Sequence, residues 1–152
     1  MLNEGDKAPA FSTKDSQGKT VKLSDYKGKR LVLYFYPRDN TPGCTKEACS
    51  FRDEYSQLKK LGLSVVGISG DSAASHQKFI AKFDLPFTLI TDEDHAIATA
   101  YGTYGEKKFM GRKFLGIHRT TFLIGADGRI EKIFRKVKAE GHAKEVLESA
   151  RT

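Results

Sequence analysis

Leu31-Val-Leu-Tyr-Phe-Tyr36, running on into Pro37-Arg-Asp-Asn-Thr-Pro-Gly-Cys44-Thr-Lys-Glu-Ala-Cys49, is the stretch from which the fold can be read. Its first part is apolar, β-branched and aromatic, the pattern of a buried strand, and Pro37, Pro42 and Gly43 break that strand before a helical pattern begins. Cys44 therefore falls at the start of a helix. Backbone N–H groups in a first helical turn lack intrahelical partners and carry partial positive charge, so a sulfur placed there is favoured as the thiolate.

Cys44 and Cys49 are the only two cysteines in the chain. Five helical residues advance the chain by roughly 7.5 Å and rotate the second side chain about 140° from the first. The Cα separation on an intact helix is then about 8.6 Å, beyond the roughly 7 Å that a disulfide spans. If the pair bonds at all, the first turns must unwind, so a disulfide here would be a reactive state coupled to local unfolding.

Working outward, a hairpin is expected from Phe11 to Leu23 around Asp15-Ser-Gln-Gly18, ahead of the central strand. After Cys44, Phe51, Tyr55, Leu58 and Leu61 form one apolar stripe of a helix that ends at Gly62. Ser64-Val-Val-Gly-Ile-Ser69 reads as a buried strand, followed by a helix near Ser75 to Phe83 and a strand from Phe87 to Ile90. A helix around Ala96 to Tyr101 precedes an irregular Gly- and Lys-rich stretch. Thr120 to Ile124 and Arg129 to Phe134 then form a hairpin around Ala126-Asp-Gly128, and a last helix covers about His142 to Ala150. This order predicts an α/β fold with a central mixed β-sheet flanked by helices and an N-terminal β-hairpin, all within one domain spanning residues 1–152.

At 152 residues the chain is long enough to bury a core without covalent staples. It has no secretory apolar segment and no long apolar span, which points to a reducing, cytoplasmic setting where a disulfide is a transient species. The net charge of +7 raises nucleic-acid binding as a rival class. The basic residues are dispersed, however, and the densest segment, Lys107-Lys-Phe-Met-Gly-Arg-Lys113, reads better as a solvated rim of the reactive site. Phe109, Met110 and Phe114 would give that rim an apolar wall or else belong to the core. His76, His95 and His142 are scattered, and His118 reads as structural because strand alternation would turn it away from Arg119. No metal site is expected from this set.

Pro37-x-x-x-Thr41-x-x-Cys44 resembles the active-site pattern of the peroxiredoxins. Tyr34-Phe-Tyr-Pro37, Thr41-Pro-Gly-Cys-Thr-Lys-Glu-Ala-Cys-Ser-Phe-Arg-Asp53 and Gly116-Ile-His-Arg-Thr-Thr-Phe-Leu-Ile-Gly125 are similar to the peroxiredoxin Q or bacterioferritin comigratory protein subfamily. The resemblance runs from about Gly5 to the C-terminal helix and implies a thioredoxin-like fold. It implies a thiol-dependent peroxidase acting on hydrogen peroxide and organic hydroperoxides, with Cys44 as peroxidatic nucleophile and Cys49 as resolving cysteine. It also implies thioredoxin, with glutaredoxin as the other candidate, as reductant, no metal or other cofactor, and a monomer.

Full ionisation of an ordinary cysteine, about 3% thiolate at pH 7, gains only about 30-fold, or about 2 kcal/mol. Groups that bind the peroxide oxygens must supply the rest. The resemblance assigns this to the Thr41 hydroxyl and to Arg119, and assigns to Pro37 the shielding of the sulfur. Plainer readings stand beside these: Cys49 as a half-buried helix residue, Arg119 as a strand-edge cation, Thr41 as a helix cap. A thiol-disulfide oxidoreductase of thioredoxin type would share the fold, but it normally uses Cys-x-x-Cys, and here four residues intervene.

Overall fold

The computed structural model of the protein describes residues 1–151; Thr152, the last residue of the expected domain span, lies outside them. The expected N-terminal hairpin forms from β1 (Ser12–Lys14) and β2 (Thr20–Lys22). Its turn is fixed by the Asp15 carboxylate, which accepts from the amides of Gln17 and Lys19 at 2.8 and 2.9 Å. The hairpin is a separate two-stranded sheet, attached to the main one by a bridge between Asp15 and Ile90.

The main sheet contains β3 (Arg30–Phe35), β4 (Leu63–Ser69), β5 (Thr88–Thr91), β8 (Thr120–Ile124) and β9 (Ile130–Phe134) in the order β5-β4-β3-β8-β9. β3 runs parallel to β4 and antiparallel to β8, so the sheet is mixed as expected. Alternation along β3 divides the core. Val32, Tyr34 and Tyr36 pack on one face against Ala48, Phe51, Leu58, Phe79, Val146 and Leu147. Leu31, Leu33 and Phe35 pack on the other against Val66, Ile90, Ala98, Tyr101, Phe122 and Ile130. A strand buried on both sides needs an unbroken apolar run, which is what Leu31 to Tyr36 supplies.

Among the described residues four α-helices cover the sheet: α1 (Pro42–Lys60), α2 (Ala73–Phe83), α3 (Ala96–Ala100) and α4 (His142–Ala150). On α1, Phe51 and Leu58 are buried and Tyr55 and Leu61 pack beside them, so the expected stripe faces the sheet. Pro42 occupies a first-turn position, where its missing N–H costs nothing.

The stretch expected to be irregular is a regular hairpin, β6 (Tyr104–Phe109) and β7 (Arg112–Ile117). Met110 and Gly111 both have positive φ, 51° and 79°, as a type I′ turn requires. Both strands are largely exposed, so no apolar alternation marks them in the sequence, and Met-Gly is an unusual turn pair. Phe109, Met110 and Phe114 are 67%, 87% and 47% exposed, which removes the core reading for them.

Candidate active site

The β3–α1 connection, β8 and α1 meet at one end of the sheet. In the β3–β8 register Phe35 faces Thr120, so Arg119, just before β8, arrives where β3 gives way to the Pro37–Cys44 segment. His118 and Arg119 lie between β7 and β8 rather than in a strand, so the alternation expected to separate them does not operate. His118 is exposed, with Nε2 at 3.1 Å from the Glu106 carbonyl.

Cys44 is in the first turn of α1 and only 1% exposed. Arg119 brings it a donor: Nη2 lies 3.3 Å from Cys44 Sγ. The other terminal nitrogen, Nη1, donates to Glu47 Oε1 at 2.5 Å. Cys44 and Glu47 are three residues apart on one helical face, so a single guanidinium spans both. Gly43 makes the approach possible: a Cβ there would lie 3.1 Å from Arg119 Nη2.

From the sequence, Glu47 lies between the cysteines with Thr45 and Lys46, placed to bias an unwinding, and nothing there assigns it catalytic work. Its partner Arg119 is 72 residues away, so only the fold brings the pair together. Glu47 is fully buried, its Oε2 has no hydrogen-bond partner among the described residues, and neither has the Tyr34 hydroxyl. Burial pushes the Glu47 carboxyl up to about 7, with the charge and hydrogen bond of Arg119 working in the opposite direction. Burial also opposes the Arg119 charge, but Glu47 and Cys44 outweigh it and hold that guanidinium above its ordinary value.

Thr41 stands at the N-cap position of α1 in extended conformation. Its carbonyl accepts from the Thr45 amide at 2.8 Å, whereas its hydroxyl donates to the Arg38 carbonyl at 3.0 Å and does not cap the helix. Pro37 is half-buried in the same loop. Cys49 is half-buried, both cysteines are free, and α1 is continuous through them. Lys107, in the middle of β6, is held below its ordinary pKa by burial and by Arg119, with the charge of Cys44 opposing. Its cross-strand partner is the exposed Phe114.

A chain with this first-turn cysteine and distant arginine can be set beside known proteins. Residues 4–133 match the AhpC/TSA family. The chain belongs to that family, the peroxiredoxins. It is 49% identical to peroxiredoxin Bcp of Bacillus subtilis over 95% of this chain and 92% of that protein. It is 48% identical to peroxiredoxin Bcp of Escherichia coli K12 over 96% and 94%. A cysteine-to-serine mutant of the peroxiredoxin Q of Xylella fastidiosa superposes with a TM-score of 0.94 at 38% identity, covering 99% of this chain and 96% of that one. The bacterioferritin comigratory protein of Xanthomonas campestris, for which alkyl peroxide reduction activity is described, gives 0.88 at 38% identity over 93% and 90%. The expected thioredoxin-like fold is that of these peroxiredoxin neighbours, and the chain is an enzyme, a thiol-dependent peroxidase. Among the described residues no helix is long and apolar enough to cross a membrane.

Proposed function

We propose that Cys44 is the peroxidatic nucleophile and Cys49 the resolving cysteine of a peroxidase reducing hydrogen peroxide and organic hydroperoxides. The observation that carries this reading is the Arg119 guanidinium 3.3 Å from a buried first-turn sulfur. The Cys44 thiolate attacks the terminal oxygen of the hydroperoxide, the O–O bond breaks, and the departing alkoxide or hydroxide takes a proton to leave as alcohol or water. Arg119 stabilises charge on the reacting oxygens. The Thr41 hydroxyl, which donates to Arg38, keeps lone pairs with which to accept from the peroxide O–H. Pro37 screens the sulfur from water.

The first turns of α1 then unwind, and the Cys49 thiol condenses with the Cys44 sulfenic acid to give a disulfide and water. A dithiol reductant reduces it by exchange; thioredoxin is the proposed reductant, glutaredoxin the other candidate, and a single-domain monomer in the cytoplasm the proposed form. Phe109, Met110 and Phe114 supply an apolar rim suited to alkyl hydroperoxides.

Reduced protein treated with one equivalent of peroxide is expected to lose two hydrogens by intact mass and both titratable thiols. Cys49→Ser should instead gain oxygen, and Cys44→Ser should not consume peroxide. An unchanged wild-type mass would sink the reading. Oxygen addition in wild type without a disulfide would keep Cys44 and remove Cys49 from its role.

A further inference from the structure

Behind the Pro37–Thr41 loop lies a buried polar cluster that the peroxide chemistry above does not employ. His76 on α2 is fully buried, and Asp39, in the middle of the loop, nearly so. His76 Nδ1 lies 2.7 Å from Asp39 Oδ2, and His76 Nε2 lies 3.0 Å from the Ile90 carbonyl oxygen. Ser75 donates to the same Asp39 oxygen at 2.8 Å and Tyr36 donates to Oδ1 at 2.5 Å. The Asp39 amide donates to Asp71 Oδ2 at 2.7 Å, and Ser69 donates to that oxygen at 2.6 Å.

A carboxylate and a backbone carbonyl only accept, so a ring lodged between them fills the site with two N–H donors. Asp39, Asp71 and His76 place ligand atoms within 4.8 Å of one another, but His76 already bonds to Asp39, and the two carboxylates accept from three hydroxyls and the Asp39 amide. The cluster is therefore complete as a set of internal hydrogen bonds. Breaking one partner of such a buried pair is far costlier than the pair is worth in isolation, so the loop is held to one arrangement.

That arrangement reaches Thr41 through the Arg38 carbonyl. Arg38 is pinned on one side by Tyr36, whose amide donates to Ile68 at 3.1 Å, and on the other by Asp39. Its carbonyl receives the Thr41 hydroxyl and so sets which way the oxygen lone pairs of Thr41 point. We infer that His76 and Asp39 form a buried ion-pair clamp whose task is to position the Thr41 hydroxyl for the peroxide. His76 is thus a positioning residue, acting through Asp39, Arg38 and Thr41. The inference rests on the roles proposed above for Cys44 and Thr41.

The test is a double-mutant cycle on the rate constant for peroxide consumption, measured by competition against a haem peroxidase. His76→Phe removes both donors and is expected to slow the reaction about tenfold, the effect of losing about one well-aligned hydrogen bond. In a Thr41→Val background the same substitution should change the rate less than about twofold. Ser75→Ala, a milder loosening of the Asp39 carboxylate, is read in both backgrounds in case His76→Phe does not fold. It should slow the reaction about twofold, and only when Thr41 is present.

Equal slowing in both backgrounds, or an undiminished rate in the folded variants, would overturn the clamp. In wild type, nitrogen-15 spectra of the His76 ring should show a proton on each nitrogen, and a bare ring nitrogen would overturn the ion pair. A wild type inert to peroxide would defeat the parent reading as well, while the ring spectrum still reports on the pair by itself.

Discussion

Gly43 shows how closely one residue's size governs the site. Its φ is not in the positive range, so alanine meets no backbone strain there, and exchanging Gly for Ala in a helix ordinarily gains up to about 1 kcal/mol. The methyl would nevertheless sit 3.1 Å from Arg119 Nη2, tight enough that the guanidinium must shift by some tenths of an ångström. Stability and activity should therefore move in opposite directions. Gly43→Ala is expected to hold or raise the urea midpoint while slowing peroxide consumption by about tenfold, since misplacing a preorganised donor weakens it in the transition state. Stopped-flow peroxide assays beside equilibrium unfolding check this. At this scale the sequence disclosed those site residues whose spacing is itself a signal, Pro37, Thr41 and Cys44, and Arg119 through the resemblance. It did not disclose the pairing of Glu47 with Arg119 or that of Asp39 with His76, because each joins residues 72 or 37 positions apart and not neighbours.

The first turns of α1 are the element on which the proposed cycle turns, and Glu47 makes their opening sensitive to pH. Glu47 lies between the two cysteines, so unwinding that lets them meet also releases Glu47 to water. In the closed helix its carboxyl is pushed up to about 7 by burial, against an ordinary value of 4.5. Below pH 4.5 the group is neutral in both states and favours neither. As pH rises from there to 7 the unwound state ionises first, and above 7 the closed helix carries the full cost of a buried carboxylate, about 3 kcal/mol. Closure is therefore strongest on the acid side and weakens towards neutral pH. Disulfide formation after a single turnover should accelerate from pH 5 to 7.5, beyond what ionisation of Cys49 alone produces. Glu47→Gln stays neutral throughout and should lose that excess, leaving the sulfenic acid longer-lived and more easily overoxidised. Rapid-quench mass spectrometry across pH reads both effects, and an unchanged pH profile in Glu47→Gln would exclude this role. Element type was readable wherever a periodic apolar face or an unbroken apolar run met the core, as in α1 and β3. It was not readable in β6 and β7, where exposure on both faces leaves Tyr104 to Ile117 without a hydrophobic period.

Across the whole molecule, the two cores separated by the main sheet would respond unequally to oxidation. Cys44 and Ala48 belong to the core that also holds Tyr34, Phe51 and α4, whereas the opposite core, around Phe35, Tyr101 and Phe122, touches neither cysteine. Unwinding residues 42–49 gives up the burial of Cys44 and Ala48 and several backbone hydrogen bonds, while Phe51 can remain stacked on Tyr34 at 4.6 Å. Each lost hydrogen bond costs about 1 kcal/mol net, and the small buried side chains add about as much again. Closing so short a loop by a disulfide returns only about 2 kcal/mol through the unfolded state. Near pH 4.5, where the release of Glu47 returns little, the loss exceeds the gain, so the disulfide form should unfold more easily than the dithiol form, the reverse of the usual effect of a disulfide. Without tryptophan the transition is best followed by far-ultraviolet circular dichroism in urea. An oxidised form more stable by the full loop-closure amount would mean that α1 accommodates the bond without unwinding, and the helical spacing argument would fail with it.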